Sequence, residues 1–204
     1  METQAVEHDG RTYSFGPYYS RNHHEHWSSV WTRAVVRAKR GADREIEEFG
    51  RTIALFVDGW LADTREYVIT YVPARRSAVM FLFPEMGKCA SRRVAEAIFR
   101  HLRWRPGVSL KRLLVTHGGK ERRQRHCRGA KARRRNVCGH YEIADGVRVQ
   151  GQNVVVVDDI VTSGATIEEC SRVLRAAGAK SVTGLTLART VHKPWWPQAR
   201  TATA

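Results

Sequence analysis

The sequence predicts an α/β fold in which a mainly parallel sheet is flanked by helices. Segments rich in β-branched residues alternate along the chain with segments of helical periodicity, a pattern typical of parallel strands joined by right-handed crossovers. The four consecutive valines Val154–Val157 are typical of a central strand that is buried on both faces. The 204 residues suit one such domain with additions at its N-terminus, or at most two small units.

The N-terminal part of the chain predicts loops and two helices. Residues 30–40 form a short helical segment ended by Gly41, a residue that commonly follows a helix. A second helix is expected from about Arg44, because apolar residues recur there at helical spacing and form one stripe. We expect this stripe to pack in the core; it contains Ile46, Phe49, Ile53, Phe56 and Trp60.

The rest of the chain predicts the alternating elements of an α/β core. β-Branched and aromatic segments predict strands at Tyr67–Val72, Leu110–Val115, Val154–Val157 and Val182–Leu187. Apolar residues at helical spacing predict helices at Cys89–Leu102 and Thr166–Ala177, the second ended by Gly178. Asp145-Gly146 indicates a β-hairpin that joins two short strands, Tyr141–Ala144 and Val147–Val149. We therefore expect an N-terminal loop and helical subdomain, an α/β core and a C-terminal tail, at residues 1–60, 61–191 and 192–204.

The segment from Val154 to Thr166 contains the residues that indicate chemistry. Its apolar strand would deliver Asp158 and Asp159 to the C-terminal end of the sheet, where α/β folds bind their ligands. The turn and helix start that follow are small or hydroxylated: Thr162, Ser163, Gly164, Ala165 and Thr166. Backbone N–H groups and hydroxyls of such a turn can surround a phosphate at a helix N-terminus, and Gly164 permits close approach. The two carboxylates could accept hydrogen bonds from the two hydroxyls of a ribose.

This pattern predicts a site for a sugar 5-phosphate with a free diol. The alternative is an ordinary strand–turn–helix unit, in which Asp158 and Asp159 are loop residues and a Thr or Ser only caps the helix. A strand that ends in two aspartates is weak support by itself. The full pattern from Val154 to Thr166 is much more specific and favours the sugar-phosphate site.

The same segment resembles the ribosyl-phosphate signature of type I phosphoribosyltransferases. The wider pattern is similar to the ComF group of that superfamily, which is associated with DNA uptake in competent bacteria. Further similar segments are Gly16-Pro17-Tyr18, Lys39-Arg40-Gly41, Tyr71-Val72-Pro73, Arg135-Asn136-Val137 and Leu187-Ala188-Arg189-Thr190. The chain departs from the group in two respects, because it lacks the N-terminal cysteine ribbon and the Arg-Gly-Phe-Asn sequence that usually follows the Val-Pro strand.

The resemblance implies a type I phosphoribosyltransferase fold and an enzyme of the glycosyltransferase class. Such an enzyme transfers ribose 5-phosphate between phosphoribosyl pyrophosphate and an acceptor, here unidentified but expected to be nucleobase-like. By resemblance, Asp158 and Asp159 would be catalytic and hold the diol, and residues 162–166 would hold the 5-phosphate. Arg75 and Arg76 would contact pyrophosphate, for which guanidinium groups are suited. The cofactor would be Mg²⁺ held mainly by the ligand's oxygens, with no metal site formed by the protein alone.

Two other hypotheses remain open at the level of sequence. One is a non-catalytic, ComF-like accessory protein for DNA uptake or DNA handling that retains the phosphoribosyl pyrophosphate pocket. The other is a regulator that senses this ligand. The formal net charge of +15 fits a nucleic-acid partner as well as phosphorylated substrates.

A basic segment precedes the predicted hairpin. Residues 120–135 hold nine Lys or Arg residues and one Glu. The segment could close over the active site and neutralise leaving pyrophosphate, contact nucleic-acid phosphates without sequence preference, or form a solvated surface. The candidate residues for the first two roles are Lys120, Arg133, Arg134 and Arg135.

The remaining features bear on location and assembly. The four cysteines form no Cys-x-x-Cys pair, so we expect reduced thiols rather than a zinc ribbon, with Cys170 packed in the core. No apolar run approaches a membrane-spanning length and the polar N-terminus does not resemble a signal peptide, which favours the cytoplasm. Trp195 and Trp196 are expected to cap the sheet edge or to form a homodimer contact rather than to stack on bases.

Overall fold

The computed structural model describes residues 5–8, 11–60, 66–74, 89–116 and 137–191. Nine strands lie in these segments: β1 Val6–His8, β2 Thr12–Ser14, β3 Pro17–Tyr19, β4 Tyr67–Tyr71, β5 Val108–Leu110, β6 Leu114–Thr116, β7 Tyr141–Ile143, β8 Asn153–Val161 and β9 Ser181–Val191. The α-helices in the same segments are α1 Val30–Lys39, α2 Asp43–Trp60, α3 Ala90–Leu102 and α4 Ala165–Ala176. A short 3-10 helix spans His24–His26.

The main sheet has seven strands and is mainly parallel, which confirms the predicted fold class. Its order is β1-β2-β9-β8-β4-β5, and β3 pairs with β9 beyond the end of β2. The pairings of β2, β3 and β8 with β9, and those of β4 with β8 and β5, are parallel. The edge pair β1 and β2 is antiparallel. Strand β8 therefore lies in the middle of the sheet.

The apolar run of β8 contacts two hydrophobic cores, one on each face of the sheet. Val155 and Val157 pack with residues of α1, α2 and α3, whereas Val154 and Val156 pack with residues of α4 and the β6–β7 region. Successive side chains of a strand point to opposite faces, and all four valines are at most 2% exposed. The predicted burial of this strand on both faces is confirmed. Cys170 on α4 is fully buried in the second core, as expected.

The predicted helices agree with the structure within a few residues. The apolar stripe of α2 buries Ile46, Phe49 and Ile53 against the first core, so the spacing rule identified the correct face. Helix α4 ends as predicted: Gly178 has φ of 88°, and its N–H donates to the carbonyl of Arg175 at 2.9 Å. A left-handed glycine after the last helical residue is the usual helix end.

Two predictions about strands are wrong. The single strand expected over Leu110–Val115 is two strands, because β5 pairs with β4 while β6 turns away to pair with β7. The hairpin expected around Asp145-Gly146 does not form, although Gly146 makes a turn with φ of 73°. Residues 147–149 are not a strand; Val149 is buried in the second core instead.

The elements of the first 60 residues pair and pack with the main sheet. Strands β2 and β3 lie beside β9, and α1 and α2 contribute Val35 and Ile53 to the same core as α3. The boundary near residue 60 stays a prediction, as does the one near residue 191, after which the chain lies outside the described residues. No helix in the described segments combines the length and the apolar character needed to cross a membrane.

Candidate functional site

The acidic pair, Asp158 and Asp159, lies at the C-terminal end of the main sheet, where neighbouring strands end at different positions along the strand direction. Strand β4 stops level with Val157, whose carbonyl accepts a hydrogen bond from Val72 N–H at 2.9 Å. Strands β8 and β9 continue together as far as Val161. Asp158 and Asp159 therefore lie beside the segment that follows β4. This is the end of the sheet at which open α/β folds bind ligands.

Hydrogen bonds within the chain orient both carboxylates. Oδ1 of Asp158 accepts the backbone N–H of Asp159 at 2.9 Å, and Oδ1 of Asp159 accepts the N–H of Ile160 at 2.6 Å. The second oxygen of Asp159, Oδ2, lies 2.8 Å from Nζ of Lys39 at the end of α1. The pair thus has a lysine counter-ion that comes from the N-terminal part of the chain.

The charge of Lys39 follows from its surroundings. Burial lowers the pKa of its ammonium, but attraction and hydrogen bonding to Asp159, with smaller contributions from Asp158 and Tyr18, outweigh burial and raise the pKa above 10.5. Lys39 is therefore a cation at neutral pH. The sequence placed Lys39 in a segment that resembles the ComF group and in the last turn of a helix, where cations commonly interact with the helix dipole, but it gave no sign of the contact with Asp159.

The turn after β8, residues 162–164, is the predicted phosphate turn. Gly164 precedes the first residue of α4 and adopts the left-handed conformation, with φ of 76° and no side-chain cap on the helix. An ideal Cβ at this glycine would meet no atom within 4 Å, so the turn faces open space. Oγ1 of Thr162 lies 2.8 Å from Oγ1 of Thr190, and this hydrogen bond attaches the turn to β9. Thr162, Ser163 and Thr166 are partly exposed, whereas Ala165 is buried.

A buried carboxylate joins α4 to the chain that follows the basic segment. Glu169 is 6% exposed; its Oε1 accepts the backbone N–H of Gly139 at 2.8 Å. Both of its oxygens also accept hydrogen bonds from Arg172 at 2.8 Å. The hydrogen bond from Arg172, together with that from Gly139 N–H, lowers the pKa of Glu169 although burial opposes this. The first described residues after the basic segment are thereby held against the helix that begins at the phosphate turn.

The remaining site candidates lie outside the described residues. These are the pyrophosphate candidates Arg75 and Arg76 and the basic-segment candidates Lys120, Arg133, Arg134 and Arg135. Trp195 and Trp196 also lie outside them. The last described residue before these arginines is residue 74, which follows β4 at the end of the sheet that carries Asp158.

The side chains of the site that could contact a metal ion are the carboxylates of Asp158 and Asp159. Within the described residues, no group of three or more His, Cys, Asp or Glu side chains could hold a metal ion. In the histidine cluster His23, His24 and His26, the last is buried and its Nδ1 donates to a backbone carbonyl at 2.6 Å. Two adjacent carboxylates fit a Mg²⁺ ion that arrives on a ligand, because Mg²⁺ keeps several waters and needs few protein ligands.

Comparison with known families identifies the class of protein. The model of the phosphoribosyl transferase domain matches residues 93–195, just over half of the 204-residue chain. The chain therefore belongs to this family. The match contains β8, the phosphate turn and α4, and together with the parallel sheet it confirms the predicted type I phosphoribosyltransferase fold.

Individual relatives are similar over shorter segments. The DNA utilization protein YhgH of Escherichia coli O157:H7 is 38% identical over 66 residues, which is 32% of this chain and 28% of that protein. Ribose-phosphate pyrophosphokinase 2 of Archaeoglobus fulgidus is 50% identical over 36 residues, which is 18% of this chain and 13% of that protein. The matches thus span less than a third of each relative's length.

Solved structures of low sequence identity were also found. A hypoxanthine-guanine phosphoribosyltransferase from Bacillus anthracis is 18% identical, with a TM-score of 0.46 over 72% of this chain and 70% of that one. The glutamine phosphoribosylpyrophosphate amidotransferase from B. subtilis is 22% identical, with a TM-score of 0.44 over 69% of this chain and 25% of that one.

Proposed function

We propose that the protein is a Mg²⁺-dependent phosphoribosyltransferase that moves ribose 5-phosphate between phosphoribosyl pyrophosphate and a nucleobase-like acceptor. One observation carries the proposal. A single strand–turn–helix unit inside the family match places two oriented carboxylates and a left-handed glycine turn at the C-terminal end of the sheet. A diol acceptor and an anion site so close together suit a phosphorylated ribose.

In the proposed complex, the 5-phosphate lies at the N-terminus of α4. Backbone N–H groups near Gly164 and the hydroxyls of Ser163 and Thr166 would donate to it, and the helix dipole favours its charge. Asp158 and Asp159 would accept hydrogen bonds from the 2- and 3-hydroxyls of the ribose. Their negative charge would also stabilise the positive charge that develops on the sugar as pyrophosphate leaves.

The leaving pyrophosphate would face the chain that follows β4. Arg75 and Arg76 are proposed to contact it, because guanidinium groups bind phosphate oxygens in pairs. Mg²⁺, when bound to the pyrophosphate, would supply charge neutralisation and so ease departure. The basic segment is proposed to close over the site, and the described chain that follows it is held against α4 by the hydrogen bond from Gly139 N–H to Glu169.

Calorimetry with phosphoribosyl pyrophosphate and Mg²⁺ tests the binding step directly. We expect saturable binding that ribose 5-phosphate competes away, followed by pyrophosphate release when nucleobases are screened as acceptors. The folded Asp158→Asn and Asp159→Asn double variant is the control and should bind much more weakly. Failure of the wild-type protein to bind either ligand would contradict the proposal.

A second candidate function is a ComF-like role in DNA handling that retains the ligand pocket. Its support is the local similarity to a DNA utilization protein and the net charge of +15. Replacing Arg133, Arg134 and Arg135 together with Gln distinguishes the two functions. If the segment closes over the active site, turnover should fall sharply and DNA affinity should change little. If it binds DNA, the logarithmic salt slope should flatten by up to about 0.9 per lost phosphate contact while turnover stays constant.

A matched control removes three charges elsewhere. Arg44, Arg92 and Arg100 are on α2 and α3, where each forms an exposed ion pair with a glutamate. Their joint replacement with Gln makes the same change in net charge and should leave turnover near the wild-type value. Equal salt slopes in the two triple variants would indicate that DNA responds to overall charge rather than to the basic segment.

A further inference from the structure

Lys39 provides a contact to the acidic pair from outside the family match. It is the last residue of α1, whereas the match begins at residue 93. Its Nζ lies 2.8 Å from Oδ2 of Asp159, and its side chain is 42% exposed. A solute that reaches Asp159 can therefore also reach this ammonium.

The electrostatics of the site explain why a cation is needed there. Asp158 and Asp159 present two adjacent carboxylates to a ligand that is itself a polyanion. Such like charges disfavour binding unless a cation offsets them. Lys39 supplies such a cation, because its Nζ lies within ion-pair distance of Asp159. It thus neutralises part of the acidic pair at the place where the sugar must approach.

The Lys39 ammonium and the Asp159 carboxylate can each form hydrogen bonds to a ligand in addition to the contact between them. An ionised carboxylate offers about four acceptor positions and an ammonium has three N–H donors. Oδ2 of Asp159 can therefore accept a ribose hydroxyl while it keeps its contact with Lys39. The remaining donors of Lys39 can then bind an anionic oxygen of the same ligand.

We infer that Lys39 is a ligand-binding residue of the phosphoribosyl site, which orients Asp159 and pairs with a pyrophosphate oxygen of the ligand. This inference rests on the proposed function. It assigns to the N-terminal helix α1 a direct part in binding. It also implies that the contribution of Lys39 increases with the negative charge of the ligand.

The test compares Lys39→Met with Arg37→Met by calorimetry. Arg37 is on the same helix and forms an exposed pair with Glu45 at 3.2 Å, so its replacement makes the same charge change away from Asp159. We expect Lys39→Met to weaken phosphoribosyl pyrophosphate binding about 10- to 150-fold, as for one lost hydrogen bond between charged groups. The loss for ribose 5-phosphate should be smaller, and Arg37→Met should resemble the wild type. Lys39→Arg should recover most of the affinity.

The outcomes separate this inference from the function on which it rests. If Lys39→Met loses affinity equally for both ligands and Lys39→Arg recovers none, Lys39 has only a structural role and the inference is wrong. The same holds if Lys39→Met and Arg37→Met bind alike. If the wild-type protein binds neither ligand, the proposed function fails first. Lys39→Gln serves as a second variant should Lys39→Met melt below the assay temperature.

Discussion

Replacing Gly164 with alanine would separate the stability of the phosphate turn from its use in binding. Gly164 has φ of 76° and the added Cβ would meet no atom within 4 Å. The loss of stability should therefore come from backbone strain, which is about 1–2 kcal/mol for a left-handed residue with a Cβ. For a domain of this size, that corresponds to a fall in Tm of about 2–8 °C.

Gly146 provides a matched control for this substitution. It has φ of 73° and its Cβ would likewise meet nothing within 4 Å, but it lies in the turn after β7 rather than at the phosphate turn. The two alanine variants should lose similar stability. Only Gly164→Ala should lose affinity, because its methyl group would occupy the space through which a phosphate approaches the backbone N–H groups.

The assay combines thermal melting with calorimetry on ribose 5-phosphate. Losing one hydrogen bond from the turn to a charged phosphate should weaken binding by about 1.5–3 kcal/mol, or roughly 10- to 150-fold. Gly164→Val should be worse than Gly164→Ala, because a β-branched side chain is larger and stiffer. If Gly164→Ala and Gly146→Ala have equal Tm and bind ribose 5-phosphate with equal affinity, the phosphate does not lie at the turn that contains Gly164.

The acidic pair and the buried carboxylate of Glu169 permit two further tests. The Asp158→Asn and Asp159→Asn double variant should stay folded and lose about 1.5–3 kcal/mol of phosphoribosyl pyrophosphate affinity per lost hydrogen bond; unchanged affinity by calorimetry would refute the assignment. Glu169→Gln should lower the free energy of unfolding at pH 7 by about 1–3 kcal/mol. Because Arg172 and Gly139 N–H hold the pKa of Glu169 below 4.5, this stabilisation is present above that pH and is lost as the pH falls through the lowered pKa. Urea denaturation should therefore show a smaller difference in the free energy of unfolding between Glu169→Gln and the wild type at pH 3 than at pH 7. An equal difference at the two pH values would contradict this role of Glu169.

The features predictable from sequence are those specified by neighbouring residues. The helices α2, α3 and α4 follow from apolar residues repeating every three or four positions, and the end of α1 follows from Gly41; these signals need no knowledge of what each helix packs against. The burial of β8 follows in the same way from its run of valines. Local periodicity determines which face of an element is apolar, so these predictions hold within a few residues.

Strand pairing was not predictable because it depends on distant residues. Asp145-Gly146 does form a turn, but a turn signal does not identify the partner of the strand before it. Tyr141 pairs with Thr116, which precedes the basic segment in the sequence. The residues after the turn form no strand and contribute Val149 to the core. The same turn sequence is thus compatible with a local hairpin and with a strand that pairs with a distant part of the chain.

The candidate site likewise has a part that the sequence predicts and a part that depends on the fold. The ligand class that we propose follows from the contiguous motif of β8 and the phosphate turn, since the acidic pair and Gly164 are close along the chain. The counter-ion of the acidic pair does not follow from the motif, because Lys39 reaches Asp159 from α1, far away along the chain. A motif therefore predicts which groups a ligand must offer, whereas the fold supplies the counter-ion Lys39, which we propose permits a polyanion to approach two carboxylates. Experiments that vary the charge of the ligand address that second contribution directly, and substitutions within the motif alone cannot.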